Sequence, residues 1–344
     1  YVINSILWGN TSTGNSNNDI ASTGSNRYFV NNIMTGSYTG ENNFDSDPQF
    51  VNPDSNDFSL SDYSPAIGSG RDSVEIPTGS GNVWYYAPNT DFIGNSRPSP
   101  TGSNPDIGAY ENTLASRLTI TRYVSTNGSD SNDGSVDSPL ASIQSAINKS
   151  AFGDTIFVNP GTYYENLTLG YSNFALISLE GRDSTIIDGI NNDRVFTISN
   201  SNTDTTTLIQ GFTIQNGYSG SSSNGGGIYI ENGASIKLQN CIIKDNTCQG
   251  SGSSGFGGGY CSNGSSSVIE SCIFQSNSGS EGGAICLLSD IATQIRNCEF
   301  YNNIGANSGS SIEILYNSTG KQKIINSSFH DEDHFIQIEE ANDD

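Results

Sequence analysis

The stretch Leu238-Gln-Asn-Cys-Ile-Ile243 is one of five similar copies between residues 208 and 329. The other copies are Ile209-Gln-Gly-Phe-Thr-Ile214, Ile269-Glu-Ser-Cys-Ile-Phe274, Ile295-Arg-Asn-Cys-Glu-Phe300 and Ile324-Ile-Asn-Ser-Ser-Phe329. Each copy has an apolar residue, a small, sulfur or aromatic residue three positions later, and another apolar residue two positions after that. The fourth slot repeats at spacings of 29, 31, 26 and 29 residues. This spacing predicts one solenoid coil per repeat.

A second phrase lies between these copies and alternates with period two, as strands do. Its copies are Gly226-Gly-Ile-Tyr-Ile230, Gly258-Gly-Tyr-Cys-Ser262, Gly283-Ala-Ile-Cys-Leu287 and Ser310-Ser-Ile-Glu-Ile314. The alternation predicts an inner set, Ile228, Tyr260, Ile285 and Ile312, and an outer set, Tyr229, Cys261, Cys286 and Glu313. The predicted fold is all-β: a right-handed parallel β-helix (solenoid) with a β-rich, loop-rich appendage.

Two further local patterns describe how the coils turn and how the solenoid is closed. Asn246, Asn277 and Asn303 end the first phrase, where Asn tolerates φ > 0 and can form a ladder between coils. The segment from Ser138 to Phe152 has apolar residues on one helical face, which predicts a short helix. We expect that helix to cover the open end of the solenoid.

Composition excludes several classes of function. The chain has 344 residues, of which 33% are hydrophobic and 39 are glycine, and its net charge is −23. With 13 basic residues it has no cationic stripe able to neutralise nucleic-acid phosphates. No apolar run approaches the roughly 20 residues of a membrane span. We therefore expect no nucleic-acid partner, no membrane span and an extracellular or cell-surface location.

Motifs near the middle of the chain resemble two groups of β-helix proteins. The series Arg122-Tyr-Val-Ser-Thr-Asn-Gly-Ser-Asp130, Gly153-Asp-Thr-Ile-Phe-Val158 and Gly161-Thr-Tyr-Tyr-Glu165 resembles the opening of pectin-lyase-like proteins. The series Phe274-Gln-Ser-Asn277, Phe300-Tyr-Asn-Asn303 and Gly282-Gly-Ala-Ile285 resembles the repeats of polymorphic outer-membrane adhesins. Both resemblances imply a secreted or surface-exposed solenoid.

Residues 44 to 112 resemble the choice-of-anchor Q ending of secreted bacterial β-helix proteins. The motifs are Phe44-Asp-Ser-Asp-Pro-Gln-Phe50, Asp57-Phe-Ser-Leu60, Ser64-Pro-Ala-Ile-Gly68, Asp91-Phe-Ile-Gly94, Arg97-Pro98 and Asp106-Ile-Gly-Ala-Tyr-Glu111. The predicted organisation is a solenoid-end coil at 1–43, this appendage at 44–115, a capping start with first coils at 116–207, and regular repeats at 208–344.

In that family the capping start precedes the ending, so the order here is permuted. The stretch Val2-Ile-Asn-Ser-Ile-Leu7 matches the first phrase, and Phe335-Ile-Gln-Ile338 matches the second. We therefore take Val2, Ser5, Leu7, Ile336 and Ile338 as assembly ends. Three explanations stay open: one unit of a tandem-repeat protein, subunits stacking head to tail, or a fragment. The first two make a fibre.

Candidate metal-binding residues lie in two loops. Asp130, Asn132, Asp133 and Asp137 offer hard oxygen ligands around a glycine turn, which predicts calcium as the cofactor. The histidines, His330 and His334, are four residues apart in an acidic segment, and the β-helix pattern there favours a solvated turn over a metal site.

The six cysteines suggest packing and one disulfide bond. Cys241, Cys272 and Cys298 occupy one inward slot in successive coils, as small apolar residues would. Cys261 and Cys286 share an outward slot one coil apart, about 4.8 Å by strand spacing, which predicts a strained disulfide. Cys248 has no evident partner.

Catalytic machinery is not evident in the sequence. A glycosidase needs two facing carboxylates, and a lyase needs a base beside a calcium-bound uronate. We therefore expect no enzyme and no catalytic or cofactor-binding residues, but a non-catalytic extracellular structural protein that polymerises with itself head to tail and adheres to glycans or a cell surface. The alternative is a carbohydrate-active enzyme resembling a polysaccharide lyase, or a glycan-binding surface protein.

Overall fold

The computed structural model describes residues 1–10, 28–35, 40–43, 46–78, 81–170, 173–220, 223–250, 255–309, 311–315, 321–330 and 336–338. They divide into two compact units, Tyr1–Ile120 and Thr121–Asp344. No helix in these ranges is long and apolar enough to cross a membrane.

The first unit combines two parallel strand pairs with two antiparallel pairs. Parallel pairs are β1 (Val2–Ile3) with β3 (Phe29–Val30), and β2 (Ile6–Leu7) with β4 (Ile33–Met34). Antiparallel pairs are β5 (Phe50–Asn52) with β6 (Asp57–Leu60), joined by the 3₁₀ turn η1 (Pro53–Ser55), and β7 (Ser73–Thr78) with β8 (Gly81–Tyr86). Buried residues of the parallel pairs pack against the segments that follow them: Val30 joins Val74 and Ile76, and Ile33 joins Leu60 and Ile107.

The second unit is the predicted right-handed parallel β-helix, with four parallel sheets along its length. Sheet 1 contains β9 (Thr121–Val124), β10 (Thr155–Val158), β13 (Ala175–Ser178), β16 (Leu208–Gln210), β20 (Lys237–Gln239), β24 (Val268–Glu270), β28 (Gln294–Arg296) and β32 (Lys323–Ile325). Sheet 2 contains β11 (Gly161–Tyr164), β14 (Thr185–Asp188), β17 (Thr213–Gln215), β21 (Ile242–Lys244), β25 (Ile273–Gln275), β29 (Glu299–Tyr301) and β33 (Ser328–Phe329).

Two more sheets complete the coils. Sheet 3 contains β12 (Leu167–Leu169), β15 (Phe196–Ile198), β19 (Ile228–Ile230), β23 (Tyr260–Asn263), β27 (Ile285–Leu288), β31 (Ile312–Ile314) and β34 (Ile336–Ile338). Sheet 4 contains β18 (Tyr218–Ser219), β22 (Thr247–Cys248), β26 (Ser278–Glu281) and β30 (Ile304–Ser308).

The core of the second unit is made of stacked equivalent positions from successive coils. The predicted inner residues Ile228, Tyr260, Ile285 and Ile312 are fully buried. The predicted inward thiols of Cys241, Cys272 and Cys298 are buried in the same core cluster. The rings of Phe274 and Phe300 are stacked with centroids 5.1 Å apart, and Phe300 and Phe329 are 4.7 Å apart. This repetition lets few apolar side chains per coil form one continuous core.

The asparagine ladder forms as predicted, but the left-handed backbone lies one residue earlier. The side-chain amide of Asn246 donates to Oδ1 of Asn277 (2.9 Å), and that of Asn277 donates to Oδ1 of Asn303 (3.0 Å). Positive φ occurs instead at the preceding residues, Asp245, Ser276 and Asn302. The turn therefore bends before the ladder, which leaves the asparagine side chains directed inward.

The predicted helix is shorter than the sequence pattern suggested. It is α1 (Ile143–Asn148), with the Ser142 side chain accepting a hydrogen bond from the Ser145 amide. Before it, the Asp130 carboxylate accepts from the amides of Ala141 and Ser142, which holds this segment as a loop. Ile143, Ala146 and Ile147 join the core, so α1 covers the solenoid as expected.

Candidate functional site

The outer face of sheet 1 carries a cluster of charged groups. In each coil a buried residue such as Leu238 or Ile269 points inward, so its two strand neighbours point outward. Parallel register then aligns the outward residues of successive coils. We name the following set the cationic face: Lys237, Gln239, Glu270, Gln294, Arg296 and Lys323.

Glu270 lies at the centre of the cationic face. Its carboxylate is 3.3 Å from Nζ of Lys237 and 3.9 Å from the guanidinium of Arg296. The amide of Gln239 also donates to it at 3.4 Å. The carboxylate and both cations are partly exposed, so a ligand can reach all three groups.

A third cation reaches this position from another coil. Arg182 follows β13, and its guanidinium donates to the backbone carbonyl of Ser271 at 3.2 Å. Ser271 is the residue directly after Glu270. Two cations therefore lie within 4 Å of Glu270, and a third is hydrogen-bonded to the next residue, in a chain whose net charge is −23. This concentration of positive charge creates a local binding field for anions.

The row of outward residues that contains Gln239 and Glu270 extends along sheet 1 with uncharged side chains. Register places Tyr123, Phe157, Ile177 and Gln210 in line with Gln239 and Glu270. The rings of Tyr123 and Phe157 are 5.7 Å apart. Eight strands at about 4.8 Å spacing give a face about 34 Å long. A polymer lying along it would meet aromatic rings, amides and then charges.

The predicted calcium loop uses its polar groups to hold the chain. Asp130 accepts from Ala141, Ser142 and the Ser142 hydroxyl, and Asp133 accepts from the amide of Ser135. These hydrogen bonds lower the pKa of both carboxyls. Asn132 donates to the carbonyl of Pro139. Over the described ranges, no three His, Cys, Asp or Glu side chains form a metal cluster. Calcium at this loop, with Asp137, stays a prediction.

The predicted disulfide does not form. Cys261 and Cys286 are paired in register on sheet 3, but both are free thiols. Adjacent in-register parallel strands hold such side chains side by side, a geometry that strains the bond. Both are also fully buried rather than exposed, because Phe256 and Leu315 pack over them. Burial raises the pKa of Cys286 well above its usual value.

The histidines and the proposed assembly residues do not form a cluster among the described residues. The amide of His330 donates to the carbonyl of Phe300, and His334 lies outside the described residues. The proposed assembly residues lie in small strands: Val2 in β1, Leu7 in β2, with Ser5 between them. Ile336 and Ile338 belong to β34, which pairs with β31.

Sequence analysis missed the cationic face, although the repeat carried its signal. The residue after the first apolar position of the phrase is Gln210, Gln239, Glu270 and Arg296 in successive copies. The inward positions of the copies share one residue type, apolar, whereas these outward positions differ from copy to copy. Their alignment becomes informative only once the register of sheet 1 places them side by side.

Comparisons with known proteins give short matches. No family model matches the chain. Pectate lyase PEL9 of Emericella nidulans is 40% identical over 74 residues, which cover 20% of this chain and 18% of that enzyme. The uncharacterized protein YwoF of Bacillus subtilis is 42% identical over 50 residues, covering 14% of this chain and 11% of that protein. The chain thus spans less than a fifth of either relative's length.

Solved structures with a similar backbone include two proteins named for action on pectic material. Pectin methylesterase PemA from Erwinia chrysanthemi is 14% identical with a TM-score of 0.38, covering 62% of this chain and 81% of that chain. A rhamnogalacturonan lyase is 15% identical with a TM-score of 0.32, covering 65% of this chain and 64% of that chain. The choice-of-anchor and adhesin resemblances stay predictions.

The sequence match to pectate lyase PEL9 corrects the expectation that the protein is not an enzyme, because a relative that shares sequence with the chain carries a named activity. The expectation was wrong because it rested on the lack of a recognisable catalytic motif in the sequence, whereas the repeat that the sequence does show is common to catalytic and structural solenoids. Catalytic groups of a solenoid lie in outward slots, and inward periodicity carries no information about them.

Proposed function

We propose that the chain is a carbohydrate-active enzyme of the polysaccharide lyase type, which acts outside the cell on an acidic polysaccharide. The observation that carries this proposal is the position of Glu270 within 4 Å of Lys237 and Arg296 on the outer face of sheet 1. The stretch shared with a pectate lyase supports the same substrate class.

The proposed reaction is a β-elimination at a uronate residue. Lys237 and Arg296 bind the uronate carboxylate and neutralise it, which acidifies the proton on the adjacent ring carbon, C5. Glu270 accepts that proton as general base. The electron pair left on C5 forms a C4–C5 double bond, and the bond from C4 to the leaving sugar oxygen breaks. That oxygen takes a proton from water, so the products are an unsaturated uronate and a new chain end.

Elimination fits this site better than hydrolysis. A glycosidase places two carboxyl groups about 5 to 9.5 Å apart around the bond that it cleaves. Among the described outward residues of the sheet 1 strands, Glu270 is the single carboxylate. A lone base flanked by cations suits proton abstraction beside a carboxylate. The Gln210 and Gln239 amides and the Tyr123 and Phe157 rings extend the binding surface for the polymer.

The negative net charge of the chain should make the activity on an acidic polysaccharide depend on ionic strength. At −23, the molecule repels a polyanionic substrate at long range. Salt screens that repulsion beyond about 10 Å at 0.1 M but acts less on groups in contact. We therefore expect activity to rise with ionic strength at low salt and then to level off.

The test is an elimination assay with the full chain and polygalacturonate, read as ultraviolet absorbance of the unsaturated product. Glu270→Gln keeps the shape of the side chain and removes the base, and we expect kcat/KM to fall at least about 100-fold. Lys237→Met is expected to raise KM. Thermal melting checks folding, which should change little because exposed ion pairs contribute only about 0 to 1 kcal/mol.

The matched control is Lys244→Met on sheet 2. Lys244 is 34% exposed and lies 3.7 Å from Asp245, whereas Lys237 is 33% exposed in its own ion pair. The control variant should retain full activity. An absence of unsaturated product from polygalacturonate and methylated pectin, or wild-type activity in Glu270→Gln, would refute the proposal.

A further inference from the structure

The first unit contains two adjoining pockets that the proposed lyase reaction does not use. One has a volume of about 490 Å³ and the other about 650 Å³. Both include Asn4, Phe92 and Gly108 in their walls, so Phe92 stands between them. Volumes of this order suit small ligands and single residues of a polymer better than a flat protein interface.

Aromatic rings line both pockets and are unusually open to solvent. Tyr85 and Tyr86 lie at the end of β8 and line the smaller pocket, and Tyr86 is 74% exposed. Phe92 is 75% exposed, and Trp8 and Phe58 line the larger pocket. Aromatic residues at such sites offer a flat apolar face to a ligand.

The segment that presents Phe92 is held rigidly. The Asp91 carboxylate accepts hydrogen bonds from the amides of Ile93, Asn95 and Glu111. The amide of Phe92 itself donates to the carbonyl of Ala109 at 2.8 Å. A backbone segment fixed in this way loses little freedom on binding, which favours affinity.

The floor of the pockets is fixed by a buried ion pair. Nε of Arg97 is 2.6 Å from the Glu111 carboxylate, and the same guanidinium donates to the carbonyls of Gly108 and Tyr110. Gly108 has a φ of +105°, a backbone conformation that residues with a Cβ rarely adopt, and a Cβ there would lie 2.8 Å from the end of the Ile6 side chain. Glycine therefore allows the path that the backbone takes along the pocket floor.

The charged groups around the smaller pocket all have partners within the first unit. Arg97 forms a buried ion pair with Glu111, Arg71 forms an exposed ion pair with Glu41, and the Asp91 carboxylate accepts hydrogen bonds from backbone amides. The uncharged polar lining includes Thr90 in the smaller pocket, and Ser5 and Asn10 in the larger one. Open aromatic faces with neutral hydrogen-bonding groups match the two faces of a sugar ring, which are apolar, and its rim of hydroxyls.

We propose that the first unit binds a neutral oligosaccharide in the two pockets on either side of Phe92. The site differs from the cationic face in both unit and charge, so it does not depend on the proposed lyase reaction. Each pocket holds part of the sugar chain, and Phe92 and Tyr86 contact ring faces. The preference for an uncharged ligand follows from the internal pairing of the pocket's charges.

The test uses the full chain on an array of neutral and acidic oligosaccharides, followed by fluorescence titration with the neutral ligands that bind. Both tryptophans, Trp8 and Trp84, lie in the first unit, and Trp8 lines the larger pocket. In Trp84→Phe the remaining signal comes from Trp8 alone and should change on binding. Phe92→Ala and Tyr86→Ala should each weaken binding about tenfold.

Tyr164→Ala is the matched control, because Tyr164 is a comparably exposed tyrosine, 68% against 74% for Tyr86, on sheet 2 of the second unit. It should bind like the wild type. No binding to any neutral oligosaccharide would overturn the proposal, as would affinity unchanged in Phe92→Ala. Self-association in sedimentation that Phe92→Ala abolishes would assign the pockets to a second copy and also overturn it. If the protein proved to have no lyase activity, the oligosaccharide-binding result would still stand on its own.

Discussion

Replacing Asn277 by alanine removes the middle member of the asparagine ladder. The Asn277 side chain is fully buried and makes four hydrogen bonds. Its Nδ2 donates to the carbonyl of Ile243 (2.9 Å) and to Oδ1 of Asn303 (3.0 Å). Its Oδ1 accepts from the backbone amide of Asn246 (3.2 Å) and from the Asn246 side chain (2.9 Å).

The expected loss of stability follows from that count. A net contribution of about 1 kcal/mol for each hydrogen bond gives about 4 kcal/mol for the four. In Asn277→Ala, buried groups such as the carbonyl of Ile243 lose a hydrogen-bond partner and cannot replace it with water. The loss of unfolding free energy should therefore stay at about 4 kcal/mol. A loss of this size is exceptional for a single substitution.

The assay must report on the second unit. Both tryptophans lie in the first unit, so tryptophan fluorescence would follow the wrong part of the chain. We would therefore measure urea unfolding by circular dichroism, and hydrogen exchange of the amides of Asn246 and Ser278. These amides lie in the turns that the ladder joins and should exchange far faster in Asn277→Ala.

Two companion variants separate the causes. Gln275→Ala removes a nearby outward side chain that accepts one hydrogen bond from the Tyr301 hydroxyl, and should cost less than about 1 kcal/mol. Asn277→Asp keeps the shape but buries a carboxyl, whose pKa burial should raise, so its stability should improve as the pH falls. A loss below about 1 kcal/mol in Asn277→Ala would refute the reasoning.

Three further outcomes are expected. Burial raises the pKa of Asp106 to about 6. The protonated carboxyl therefore stabilises the fold by about 3 kcal/mol at most; this contribution is complete below about pH 4 and is lost as the pH rises through about 6. Urea unfolding followed by tryptophan fluorescence should show this pH dependence, and Asp106→Asn should remove it. The predicted calcium loop requires that a chelator lower the melting temperature of the wild type but not of Asp133→Ala, and an unchanged wild type would exclude it. Because all six cysteines are buried free thiols, mass spectrometry after alkylation should find them unmodified in the folded chain and modified in urea, whereas rapid labelling of the folded chain would contradict the burial.

The fold was predictable because each coil of a solenoid repeats the same local sequence pattern. Apolar residues at Leu238, Ile269 and Ile295 recur once per coil and must all face the same core. Period two within each strand then assigns inner and outer positions without long-range information. The asparagine ladder was predictable for the same reason, since one slot carries Asn in three successive copies.

Local details were less predictable where neighbouring segments compete. The helical pattern from Ser138 to Phe152 yielded only α1, because Asp130 holds the residues before it in a loop. Positive φ at Asp245 rather than Asn246 reflects the need to keep the asparagine side chain inside. Cys261 and Cys286 are outward but buried, because Phe256 and Leu315, from segments next to strands of sheet 3, cover them.

By itself, the sequence determined the repeat, the inward residues and hence the parallel β-helix, because burial of apolar side chains at a constant spacing allows few other folds. Only the tertiary structure decided which polar residues become neighbours. Lys237, Glu270 and Arg296 are about 30 residues apart along the chain and meet through the register of sheet 1. Phe92 and the ends of β2 and β8 come together only as the first unit packs. Sites made of outward side chains depend on these spatial alignments, which hydrophobic periodicity does not encode.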